Sequence, residues 1–82
     1  MQFTNLSEAV ELIQTEYLEM PGLRLTSDQA QKLCNLSNEL CDRALGALVD
    51  SGFLARRGDG TYVRRGAPPM SIEEIESLLR AM

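Results

Sequence analysis

The sequence predicts a mainly helical α+β domain, in which a three-helix core carries a short strand and a β-hairpin, and a further helix closes the chain. Three observations give that class. Two helical stretches beginning at Ser27 and after Ser37 are separated by only a few turn residues, and Thr26 and Ser37 are placed to cap them. After Gly52 the apolar pattern loses its helical period and becomes two short strand-like runs on either side of Gly58-Asp59-Gly60. Past the stiff Pro68-Pro69 break, Ser71 with Glu74 opens a last amphipathic run.

Each element has a local cause. The first helix is expected from about Leu6 to Met20, capped by Asn5, with Leu6, Val10, Ile13 and Tyr17 as its apolar stripe and Pro21-Gly22 as its stop. Leu23, Arg24 and Leu25 alternate for three residues, enough for an edge strand if another strand pairs with it. Thr26 and Gln29 form a capping box for a short second helix that carries Ala30, Leu33 and Cys34 inward and ends near Asn35, a residue that tolerates left-handed geometry. Ser37 opens the third and strongest helix, with Leu40, Cys41, Ala44, Leu45, Leu48 and Val49 on one face and Gly52 as its stop. Runs 53–57 and 61–65 then form a hairpin, and pairing it with the strand at Leu25 gives a three-stranded sheet, since an isolated hairpin is marginal in water. Ile72, Ile75, Leu78, Leu79 and Met82 give the last helix a stripe to bury on its own domain or on a partner, with Met70 and Ile75 as a staple at its start.

Eighty-two residues support one core, divided here into a domain over 1–66 and a break with a C-terminal helix over 67–82. No apolar run approaches the roughly 20 residues that cross a bilayer, so no membrane is expected. Four acids and no base precede Arg24, a pattern unlike a secretory or organellar leader, which points to the cytoplasm. Histidine is absent, and Cys34 and Cys41 lack the spacing of a zinc or dithiol pair, so both are expected as reduced core residues. No serine or cysteine has an adjacent base and no glycine-rich phosphate loop occurs; an enzyme, a metal and a cofactor are therefore not expected.

The net charge is -4, which argues against indiscriminate nucleic-acid binding. Its distribution is uneven: residues 1–23 carry -4, residues 24–66 carry +2 and residues 67–82 carry -2. Within the middle stretch Arg56, Arg57, Arg64 and Arg65 stand against Asp59 alone, more positive charge than solubility requires.

The order helix, short strand, helix, helix, hairpin, helix resembles the winged-helix domains of bacterial regulators of the multiple-antibiotic-resistance-regulator type. Leu25-Thr26, Ala30, Leu33, Leu36-Ser37, Leu40, Ala44, Leu45, Leu48, Gly52-Phe53-Leu54, Arg57, Asp59-Gly60 and Tyr62-Val63-Arg64 carry that resemblance, over about half the chain. Glu16 to Thr26, EYLEMPGLRLT, is also similar to the opening of small stand-alone bacterial winged-helix proteins of unassigned activity. The resemblance implies a winged helix-turn-helix whose third helix enters the DNA major groove and whose hairpin is a wing on the backbone. By position, Asn38 and Arg43 would meet base edges, by chemistry suited to adenine and guanine, and Arg56, Arg57, Arg64 and Arg65 would meet phosphates. Glu39 and Asp42 depart from that pattern by placing acids where phosphates approach. Two functions stand side by side. One is a small DNA-binding transcriptional regulator, dimeric through its last helix because one helix and one wing read few base pairs. The other is a winged-helix module that binds protein through its acidic first helix and the Ile72-to-Met82 stripe.

Overall fold

Among the described residues, Tyr17, Phe53 and Ile13 are the largest side chains sealed from solvent, and the elements are arranged around them. The computed structural model describes residues 5–66 and 68–81. Its order is α1 (Leu6–Glu19), β1 (Leu25–Thr26), α2 (Ser27–Cys34), α3 (Asn38–Asp50), β2 (Leu54–Arg56), β3 (Thr61–Arg64) and α4 (Ile72–Ala81). Four helices and one three-stranded antiparallel sheet make a mainly α, α+β fold, an arrangement compatible with a winged helix. No helix among the described residues is long and apolar enough to cross a membrane.

The helix boundaries follow the caps. Asn5 accepts the Glu8 N–H at 2.9 Å, and Thr26 and Gln29 satisfy each other's backbone N–H groups in a reciprocal box. Asn35 takes the left-handed conformation at φ 54°, which ends α2 and turns the chain toward Ser37, the cap of α3. At the far end of α3 the chain passes through Ser51 to Gly52 at φ 84°, a conformation in which a Cβ would be strained. Ser71 and Glu74 close the box at the start of α4, with Glu74 N–H donating to Ser71 Oγ at 3.2 Å. These bonds satisfy amides that a helix start leaves without partners.

One cluster of buried side chains joins the elements. α1 contributes Leu6, Ala9, Val10, Ile13 and Tyr17, and α3 packs against it with Cys41, Ala44, Leu45 and Leu48. Phe53 and Leu54 enter from the sheet, and Met70 and Ile75 belong to the same cluster, so the segment after residue 66 shares this core. Of the remaining C-terminal stripe, Ile72, Leu78, Leu79 and Met82 lie outside the described side chains. Leu33 is a correction: the sequence predicts it inward, yet it is 50% exposed. A helix turns about 100° per residue, so the line through Ala30 and Cys34 that faces the core leaves Leu33 to one side. Cys34 itself is only partly buried, and both cysteines are free.

Two polar contacts hold layers together inside this apolar core. The Tyr17 hydroxyl donates to the Tyr62 carbonyl at 2.6 Å and so fastens α1 to the central strand. Gln14, buried although polar, donates through Nε2 to the Met70 carbonyl at 3.2 Å and accepts the Met70 N–H at 2.8 Å. Its carboxamide thus satisfies both backbone groups of Met70. Either backbone group left buried and unpaired would cost about 1–3 kcal/mol.

Truncating Leu45 to Ala removes a side chain with no solvent exposure and is expected to cost about 2–5 kcal/mol, read from urea denaturation; a change near zero would deny α3 its place in the core. Alkali should act through Tyr17. Burial pushes its hydroxyl up to about 12 from 10.0, against a smaller lowering from the Leu25 backbone. Between those values the folded chain keeps a proton that the unfolded chain releases, so this contribution is complete below about pH 10 and is lost as pH rises toward 12. Burial moves Cys41 the same way, from 9.0 up to about 11. Urea midpoints should therefore fall through this alkaline range, and Tyr17→Phe should flatten the upper part of the fall; an unchanged pH profile in that variant would refute the assignment.

Candidate functional site

The sheet sets the geometry of the basic residues. β3 is central, pairing Leu25 with Tyr62 and Thr26 with Thr61 on one side, and Leu54, Ala55 and Arg56 with Arg64, Val63 and Tyr62 on the other. Because alternate residues of a strand face opposite ways, the rows Leu25–Tyr62–Arg56 and Leu54–Arg64 share the core side, with the exposed Arg56 at its rim. Ala55 and Val63 belong to the outer side. Tyr62 accordingly packs against the core cluster.

At the hairpin tip Arg57 N–H donates to the Thr61 carbonyl at 2.8 Å and Gly60 N–H to the Arg57 carbonyl at 3.0 Å, with Gly60 at φ 88°. Asp59 Oδ1 accepts both the Thr61 hydroxyl at 2.6 Å and the Thr61 N–H at 3.1 Å. Those two bonds hold the Asp59 carboxyl below its ordinary value, helped to a lesser degree by Arg57. The one acid of the hairpin is thus occupied in shaping the turn.

The four hairpin arginines have different roles. Arg56, Arg57 and Arg65 are exposed. Arg64 is half-buried: its guanidinium lies 4.1 Å from the Phe53 ring centroid and Nη1 donates to the Phe53 carbonyl at 3.3 Å. That stacking fixes the side chain and ties the two arms of the hairpin together. Arg24, which no sequence signal singled out as functional, is also exposed and stands immediately before β1. With Arg57 and Arg64 it lines an open depression of about 250 Å³ beside Val63 and the Pro21-Gly22 turn. The register could have found it, since β1 antiparallel to β3 brings residue 24 level with residue 63, but register depends on pairing between distant segments.

Asn38 and Arg43 lie elsewhere, exposed on α3 and outside that depression. Arg43 Nη2 is 3.5 Å from Glu39 Oε1, one helical turn away, and Asp42 accepts the Ser27 hydroxyl at 2.6 Å. With Asp50 also exposed, this face of α3 carries three acids against one arginine. Among the described residues no group of three or more His, Cys, Asp or Glu side chains is placed to hold a metal ion. Burial raises the thiols of both Cys34 and Cys41 above their ordinary value, which keeps them in the unreactive protonated form near neutrality. Comparison of the chain with family models, with curated proteins and with solved structures gives no significant match.

Arg64 and Arg65 are adjacent but differ in what holds them. Arg64→Ala should destabilise the fold by about 1 kcal/mol through the lost stacking and carbonyl contact, whereas Arg65→Ala should stay within about 0.5 kcal/mol of the parent, as surface changes do. Equal denaturation midpoints for the two variants would deny Arg64 its structural role.

Proposed function

We propose that this protein is a small winged-helix DNA-binding module, a transcriptional regulator that holds the duplex mainly through backbone phosphates contacted by its hairpin. The observation that carries the reading is the collection of Arg24, Arg56, Arg57, Arg64 and Arg65 on and beside one small sheet, in a chain whose net charge is -4. The element order and the antiparallel sheet are compatible with a winged helix and support this reading. In that arrangement α3 supplies base contacts and the hairpin is the wing.

The α3 face limits how tightly such a module binds. An exposed pair one helical turn apart, such as Glu39–Arg43, contributes only about 0.3–0.5 kcal/mol, and a bidentate arginine–guanine contact is worth about 1–3 kcal/mol. Exchanging the first for the second is favourable, so the ion pair does not prevent Arg43 from reading a base, with Asn38 beside it. Glu39 and Asp42 still repel phosphates, which leaves most of the affinity to the wing. Two copies would extend the site, because one helix and one wing span few base pairs.

The acid-rich face of α3 favours a second reading, a module that docks a basic segment of another protein through Glu39, Asp42 and Asp50. Anisotropy titration with duplex DNA at low and physiological salt separates the two. Wing-led binding should weaken with salt at a log–log slope of about -0.9 per phosphate contact, and replacing Arg56 and Arg57 together by Ala should make it shallower by about two contacts without unfolding the domain. Absence of binding at low salt would overturn the DNA reading and leave the acidic face of α3 as the working surface.

A further inference from the structure

Among the described cavities, the depression between the Pro21-Gly22 turn and the hairpin is the one lined by arginines, where the exposed Arg24 and Arg57 meet Val63. Arg24 comes from the end of the α1–β1 connection and Arg57 from the start of the hairpin turn, while Arg64 lines the depression from β3 with its guanidinium turned to Phe53 on the core side of the sheet. No carboxylate is among its lining residues. At about 250 Å³ it falls short of the roughly 300–1,000 Å³ that encloses a drug-sized ligand. It suits one charged group.

We infer that this depression is a phosphate-binding pocket, in which Arg24 and Arg57 grip the oxygens of a single phosphate group. Guanidinium forks match phosphate oxygens in pairs, and Val63 and Pro21 form an apolar wall that strengthens those bonds by keeping water from one side. The group it takes is a phosphate monoester or diester, carried either by a nucleic-acid backbone or by a small phosphorylated molecule. The pocket deepens the DNA reading in the first case and is independent of it in the second.

Inorganic phosphate, titrated against the full chain and followed by amide chemical shifts, is the direct probe. Saturable shifts confined to residues 21–24, 57 and 63–64 are expected, with Arg24→Ala and Arg24→Gln each weakening the binding at least tenfold and Arg43→Ala leaving it unchanged. Shifts that never saturate, or equal affinity in the Arg24 variants while their circular dichroism matches the parent, would overturn the pocket. A short duplex and glycerol phosphate are then added separately to the phosphate-loaded protein. Displacement by the duplex supports a backbone phosphate as the occupant. Displacement by glycerol phosphate alone supports a small phosphorylated ligand and, with no duplex binding at low salt, removes the DNA reading while the pocket stands. Displacement by neither would overturn an ester as the natural occupant.

Discussion

Tyr17 sits where every layer of this molecule meets. Its ring is sealed inside the core contributed by α1 and α3, and its hydroxyl donates to the backbone of Tyr62 on the central strand. A phenol is suited to that position because most of its surface is apolar and its one polar atom reaches the sheet. The bond does more than fill a gap. It fixes the sheet against α1, and through the pairing of β3 with its two neighbours it sets where the α1–β1 turn and the hairpin lie relative to each other. Gln14, three residues earlier on the same helix, does the corresponding work for the C-terminal segment by holding both backbone groups of Met70. One helix therefore anchors both ends of the fold through two polar side chains placed among its apolar stripe.

Charge is sorted by element. The helices carry most of the acids, and α3 presents Glu39, Asp42 and Asp50 with Arg43 already paired to Glu39. The sheet and its flanks carry five of the eight basic residues. Net charge describes the long-range field, but a phosphate within hydrogen-bonding distance responds to the local groups, since salt screens anything beyond about 10 Å. A chain of net charge -4 can thus hold an anion at the hairpin while its acidic helices discourage indiscriminate contact.

Much of the fold was legible without coordinates because its punctuation is local. The caps at Asn5, Thr26, Ser37 and Ser71 act over three residues, the turn at Gly58-Asp59-Gly60 over four, and the stripes of α1 and α3 follow from helical periodicity. Local rules weakened where the element was short. In the eight-residue α2 two apolar positions suffice to face the core, and Leu33 was left outside it. Gln14 escaped notice for a different reason: a polar residue beside an apolar stripe gives no sign that a backbone segment 56 residues later will need both of its hydrogen bonds.

The sequence by itself determined the element order, the caps, the hairpin and the concentration of arginine after Gly52, because each depends on neighbours within a few residues. Only the tertiary structure decided which of those arginines share a surface. Strand register brought Arg24 beside Val63 and Arg57, stacking committed Arg64 to Phe53, and the helical ion pair engaged Arg43. The physical reason is that strand pairing and side-chain stacking join residues far apart in the chain, and the free energy that selects one register comes from burying Tyr17, Leu54 and Phe53 together.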